Sequence, residues 1–101
     1  MKRINIKKGP VKIFQCSSCH RLHFEYESTN MEMEYDAFWK FTRLILEKNL
    51  YDFEKEQITI TLVKQQIYLV IKIQDYHFVQ DAVSKVSSIL KKDLMIIQRM
   101  I

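Results

Sequence analysis

The spacing of apolar residues changes period three times along this chain, and those changes limit the fold more than any other feature. Between Ile4 and Glu34 apolar and polar residues alternate: Ile4 and Ile6, then Val11 and Ile13, then Leu22, Phe24 and Tyr26, then Met31 and Met33. A period of two puts every second side chain on the same face of a strand. Gly9-Pro10 supplies a turn between the first two runs, and Ser28-Thr29-Asn30 interrupts the last two. The segment therefore reads as a hairpin followed by two more antiparallel strands, each with one dry and one wet face.

From Tyr35 to Lys48 the spacing lengthens, so that Phe38, Phe41, Thr42, Ile45 and Asn49 share one helical face, widened by Trp39 and Leu46. Glu34 and Asp36 suit the positive end of a helix, and Asn49 is a residue type that closes helices in the left-handed conformation. After an aromatic and acidic connection from Leu50 to Glu56, alternation returns in Gln57 to Lys64 and Ile67 to Gln74. Ile58, Ile60 and Leu62 answer Ile67, Leu69, Ile71 and Ile73, and this hairpin is expected at the centre of the sheet. Asp75 reads as the N-cap of a second helix with the stripe Val79, Ala82, Val83, Val86, Ile89 and Leu90, ending near Lys91-Lys92. The tail from Leu94 to Ile101 fits either helix or strand and is apolar enough to need cover, which favours self-association if one chain cannot provide it.

These periods give an α+β fold, a single domain over residues 1–101, with two helices on one face of an antiparallel sheet and a Cys-x-x-Cys hairpin tip in the strand-rich N-terminal part. Composition agrees: 48% of residues are apolar, with one glycine and one proline in 101 residues, a balance that suits a packed domain and not a disordered chain. A lone Gly9 also excludes the glycine-rich phosphate loops of most nucleotide enzymes. No apolar run approaches the roughly 20 residues of a membrane span, and the charged start, Met1 to Lys8, is not followed by the apolar block of a secretory signal. With only two cysteines, close together, the expected compartment is cytoplasmic, without a membrane partner.

The concentrated chemistry lies in Cys16-Ser17-Ser18-Cys19-His20-Arg21-Leu22-His23, two thiols and two imidazoles in eight residues of a chain with one further histidine, His77. A Cys-x-x-Cys turn between strands aims two sulfurs at one point, which is half of a tetrahedral zinc site. The metal-ligand candidates are Cys16, Cys19 and His23, the last reaching back from the next strand. His20 adjoins a ligand covalently, and His77 or a second subunit is a candidate for the fourth position. No second cysteine pair is present. The same sulfurs could cycle between dithiol and disulfide, but Leu22 to Glu27 alternates as a strand, so the helix N-terminus that acidifies a redox thiol is not expected. The bland alternative is a turn with two small residues and two surface imidazoles.

The pattern Cys16-x-x-Cys19-x-x-x-His23, followed by an alternating strand, an acidic helix start with Phe38 and Phe41, Tyr51-x-Phe53-Glu54, a late apolar strand and a terminal helix, resembles an uncharacterised family of short bacterial proteins. The resemblance runs from Phe14 onward. It implies a metal-knuckle-like hairpin and carries no activity. The sequence differs from that pattern at Glu27-Ser28-Thr29-Asn30, where a Gly/Asn-Asn turn is usual.

The formal charge of +4 is uneven: Lys2, Arg3, Lys7, Lys8 and Lys12 crowd the start, whereas Glu25 to Glu56 holds nine acidic and four basic residues. A basic edge with Phe14 or Phe24 available for stacking raises nucleic acid as a partner, although both rings suit the dry face and lysines also protect an edge strand. The functional expectation is a small binding or adaptor module, not an enzyme, with a protein partner or self-association and a structural zinc. A nucleic-acid-binding module and a small thiol-disulfide redox protein are the alternatives.

Overall fold

The computed structural model describes residues 4–16, 18, 21–49, 52–62 and 66–100, with residues 93–100 as helix backbone only. Four strands, β1 (Asn5–Lys8), β2 (Val11–Gln15), β3 (Leu22–Tyr26) and β4 (Thr29–Met33), precede helix α1 (Tyr35–Glu47), strands β5 (Gln57–Leu62) and β6 (Ile67–Lys72), and helix α2 (Ile73–Met100). The α+β class is as the apolar periods require.

The first four strands form an antiparallel meander in the order β1-β2-β3-β4. Its inner face carries Val11, Ile13, Leu22, Phe24, Tyr26, Met31 and Met33, all buried. Two tight turns close one end of this sheet: Gly9-Pro10, where Gly9 takes φ +53, and Glu27-Ser28, where Glu27 does the same at φ 53. The turn thus starts one residue earlier than Ser28-Thr29-Asn30 suggests, and Thr29 already pairs with Tyr26. At the opposite end lie the β2–β3 connection, with its cysteines, and the passage from β4 into α1.

Helix α1 buries Phe38, Phe41, Thr42 and Ile45, with the Phe41 ring edge-on to Phe24 at 5.1 Å. Helix α2 buries Tyr76, Val79, Ala82, Val83 and Val86. Phe78 packs so tightly beneath the first turn that a Cβ on Gly9 would meet its ring at 2.8 Å. Burying side chains of this size contributes about 1.5–3 kcal/mol each. Gln15 Nε2 donates to the Tyr35 hydroxyl at 2.6 Å, tying β2 to the start of α1.

The hairpin β5–β6 does not form the centre of the main sheet; it is a separate two-stranded sheet. Alternation specifies which face a strand buries and is silent on which strand it pairs with, and here Ile58, Ile60, Leu62, Leu69 and Ile71 join the common core without sharing the meander's hydrogen bonds. Nor is Asp75 an N-cap. The Ile73 N–H completes the β5–β6 ladder by donating to Glu56 at 2.8 Å and the helix begins at once, so Asp75 sits in its first turn. The helix also runs past Lys91-Lys92 to Met100, because no glycine or proline follows to stop it. Asn49 does not close α1 in the left-handed conformation: the C-cap is Lys48 with extended backbone, and the Asn49 N–H donates to Asp52 Oδ2 at 2.9 Å.

Candidate functional site

Hydrogen-bond parity fixes which side chains share the outer face at the cysteine end. The Cys16 N–H donates to the Arg21 carbonyl at 3.0 Å, extending the β2–β3 ladder one step beyond its last strand pair, Gln15 with Leu22. Cys16 therefore stands opposite Arg21, and Phe14 stands opposite His23. Since Gln15 and Leu22 turn inward, Phe14, Cys16, Arg21 and His23 all belong to the outer face. Cys16 and His23 are diagonal neighbours there, a relation that separates Cβ atoms by about 7 Å.

Cys16 is half-buried, and its Sγ lies 3.2 Å from Ser18 Oγ. The His23 ring stacks on Phe14, centroids 4.8 Å apart and planes 8° from parallel, while Lys12 Nζ lies 5.0 Å from the Phe14 centroid. Phe14 is thus a half-buried outer-face residue and not a member of the dry face as the sequence suggests. Phe24, by contrast, is fully buried and unavailable for stacking on a ligand. Arg21 reaches across to Glu32 at 3.2 Å and Glu34 at 3.9 Å. These half-exposed pairs orient the guanidinium and contribute no more than about 1 kcal/mol.

Of the three predicted ligands, Cys16 and His23 are brought to one face. Cys19 lies outside the described residues, as does His20. Among the described residues, no group of three or more His, Cys, Asp and Glu side chains could hold a metal ion. His77 is placed elsewhere: its ring lies 3.9 Å from that of Phe78, which packs under Gly9 at the turn end. Seven residue-to-residue steps of mostly extended chain lead from Gly9 to Cys16, roughly 20 Å, so within one chain His77 is too far away to complete the site.

A polar junction that sequence reasoning missed sits at the turn end. The buried Tyr26 hydroxyl donates to Asp75 Oδ2 at 2.7 Å and accepts from the Lys72 N–H at 3.3 Å, joining the meander to the β6–α2 corner. Burial, followed by the bond to Asp75, pushes the Tyr26 phenol up to about 12. Lys72 Nζ adds an ion pair with Glu27 at 3.0 Å, and that carboxylate raises the lysine's pKa. The available signal was a tyrosine at an inward position of β3, since a buried phenol needs a polar partner. Tyr76 is a second case: its hydroxyl donates to the Ile45 carbonyl, and burial, then the Asp52 charge, raises it to about 12.

Among the described residues no helix is long and apolar enough to cross a membrane. No family model, curated protein or solved structure matches this chain.

Proposed function

We propose that this chain is a small non-enzymatic binding or adaptor module of the cytoplasm whose strand-rich half is stapled by a zinc ion held by Cys16, Cys19 and His23. The observation that carries this reading is the placement of Cys16 and His23 as diagonal neighbours on one face at the connected end of the β2–β3 pair. Zinc–sulfur and zinc–nitrogen bonds of about 2.3 and 2.0 Å let two such side chains meet at one ion. Cys19, three residues after Cys16, supplies the second thiolate by the usual geometry of a Cys-x-x-Cys turn. His20, a water or a donor from a second copy would complete the tetrahedron.

Residues 17–20 are Ser-Ser-Cys-His and offer the core no large aliphatic or aromatic side chain, so coordination would supply the folding energy that burial cannot. Thiolates and a neutral imidazole bind the ion, which makes retention weaken as acid protonates them. The reduced cytoplasm keeps two neighbouring thiols available for this purpose.

Cobalt substitution tests the reading. Co(II) added to the reduced chain should give the visible absorption of a tetrahedral thiolate site, displaced by equimolar zinc. Cys16→Ser and Cys19→Ser should each abolish the bands, and His23→Ala should change their shape. A reduced wild-type chain that gives only the pale spectrum of hydrated cobalt contradicts the proposal.

A further inference from the structure

Helix α2 is longer than the elements it packs on. Its 28 residues span about 42 Å, against about 20 Å for the 13 residues of α1 and about 17 Å for a five-residue strand of the meander. The chain measures 49 Å in its long direction and 26 Å in the other two, so a helix of that length lies along the long axis. The two helices run in opposite directions: the Tyr76 hydroxyl bonds the Ile45 carbonyl near the end of α1, whereas Lys91 Nζ lies 5.9 Å from the Trp39 ring near its start. Burial along α2 fades at the same place. Val86 and Ser87 are buried, Ile89 and Leu90 are half-buried, and Lys91 and Lys92 are exposed. The helix backbone then continues to Met100, about 14 Å beyond Lys91.

This extension carries the core stripe with it. At 3.6 residues per turn, positions 94 and 97 fall in line with Val79, Val83, Val86 and Leu90, the residues that α2 turns toward the core. Positions 92 and 99, a lysine and an arginine, fall on the opposite side. In the sequence, Leu90, Leu94, Ile97 and Ile101 are spaced by four, three and four, an order that reads the same in both directions. A copy turned end for end about a point between residues 95 and 96 therefore sets position 94 against position 97 of the other chain, and 97 against 94. Such reciprocal contact is what a two-fold interface requires. Beside this seam, Lys91 comes opposite Gln98 and Asp93 opposite Met100, so no like charges meet.

We infer that two copies of this chain pair as antiparallel helices through the extension of α2 beyond Leu90. The stripe itself excludes the parallel arrangement. A parallel copy lying on positions 94 and 97 would continue along Leu90, Val86 and Val83, where the first chain's own core already sits. An antiparallel copy meets no such obstacle, because it overlaps the first helix only past Leu90 and then runs away from the domain. The seam is short, so the interface belongs among those burying less than about 1,200 Å² in total, and the pairing is expected to be reversible, with dissociation at roughly 10 µM. It uses none of the zinc ligands and stands or falls apart from the metal.

Sedimentation equilibrium of the reduced full chain tests the pairing. Between about 1 and about 500 µM the mass should pass from one chain to two, a shift of the kind expected around a micromolar dissociation constant. Leu94→Lys combined with Ile97→Lys should hold the chain as a monomer throughout, with an unchanged Tm at the lowest concentration, since both positions lie past the last buried residue. Met95→Lys, away from the stripe, should pair as wild type does. In a mixture of carbon-13-labelled and unlabelled wild-type chains, isotope-filtered NMR should give contacts between Leu94 and Ile97 methyl groups of different chains. That measurement needs no variant and decides the case if the double variant fails to fold. The proposal is overturned by a chain that stays monomeric at every concentration, by assembly beyond two copies, or by a folded double variant that still pairs. It is equally overturned if Met95→Lys dissociates the pair as fully, or if the cross-chain contacts join the two Leu90 side chains, as a parallel pair would.

Discussion

Replacing Tyr26 with phenylalanine removes one oxygen from the point where the meander meets the β6–α2 corner, and the consequences follow from its two bonds. The bond to the Asp75 carboxylate, 2.7 Å long, belongs to the charged class that contributes about 1.5–3 kcal/mol. The Lys72 N–H contact, at 3.3 Å, adds little. Tyr26→Phe should therefore cost about 2 kcal/mol, or about 10 °C in Tm for a domain of this size. Urea unfolding followed by Trp39 fluorescence and by circular dichroism measures it, and coincident curves would license a two-state treatment. The pH dependence carries a second signature. The Tyr26 phenol is raised from 10.0 to about 12 in the folded chain, so its contribution is complete below pH 10. Above that, the unfolded chain releases the proton while the folded chain keeps it, and stability falls until the folded phenol titrates near 12. Tyr26→Phe should shrink this alkaline loss without abolishing it, because Tyr76 is raised to about 12 as well. A variant within about 0.5 kcal/mol of wild type, with an unchanged alkaline limb, would refute the reasoning.

Other substitutions probe the packing. Gly9→Ala should cost roughly 2–4 kcal/mol, since it combines the left-handed φ of +53 with a Cβ 2.8 Å from the Phe78 ring; in a Phe78→Ala background only the backbone part should remain, as a double-mutant cycle would show. Phe41→Ala, which empties a fully buried site against Phe24, should cost about 3–5 kcal/mol in the same urea assay. Thr42 and Ser87 bury hydroxyls that have no hydrogen-bond partner, so Thr42→Val and Ser87→Ala should be neutral or stabilising by up to about 1 kcal/mol, and a clear loss of stability would mean that the hydroxyls are bonded.

Much of the fold was legible because side-chain period reports local geometry directly. Val11 and Ile13, Leu22 to Tyr26, and Ile58 to Leu62 alternate, and each run is a strand with those residues inside. Most of the limits share one origin: period carries no information about which distant element a segment meets. That is why β5–β6 was expected within the main sheet, and why Asp75 looked like a cap when its carboxylate serves Tyr26 across 49 positions of chain. Phe14 is a different case: its aromatic character suggested the dry face, whereas the alternation of Val11 and Ile13 already places it outside, opposite His23. At the site, the spacing of Cys16, Cys19 and His23 suggested convergence, and the ladder supplies the shared face for the first and last of these. A cleft lined by Met33, Ala37, Leu44 and Leu62 had no sequence signal, since residues of β4, α1 and β5 that are far apart in the chain meet there.

The zinc ion proposed at the cysteine end of the meander should travel with the folded chain. Mass spectrometry of the native chain, purified without added metal and kept reduced, tests this most directly by weighing what each molecule carries. One zinc per chain, removed by a strong chelator together with a large fall in Tm, is the predicted result. A metal-free chain that stays fully folded, and whose melting neither zinc nor chelator shifts, would contradict it.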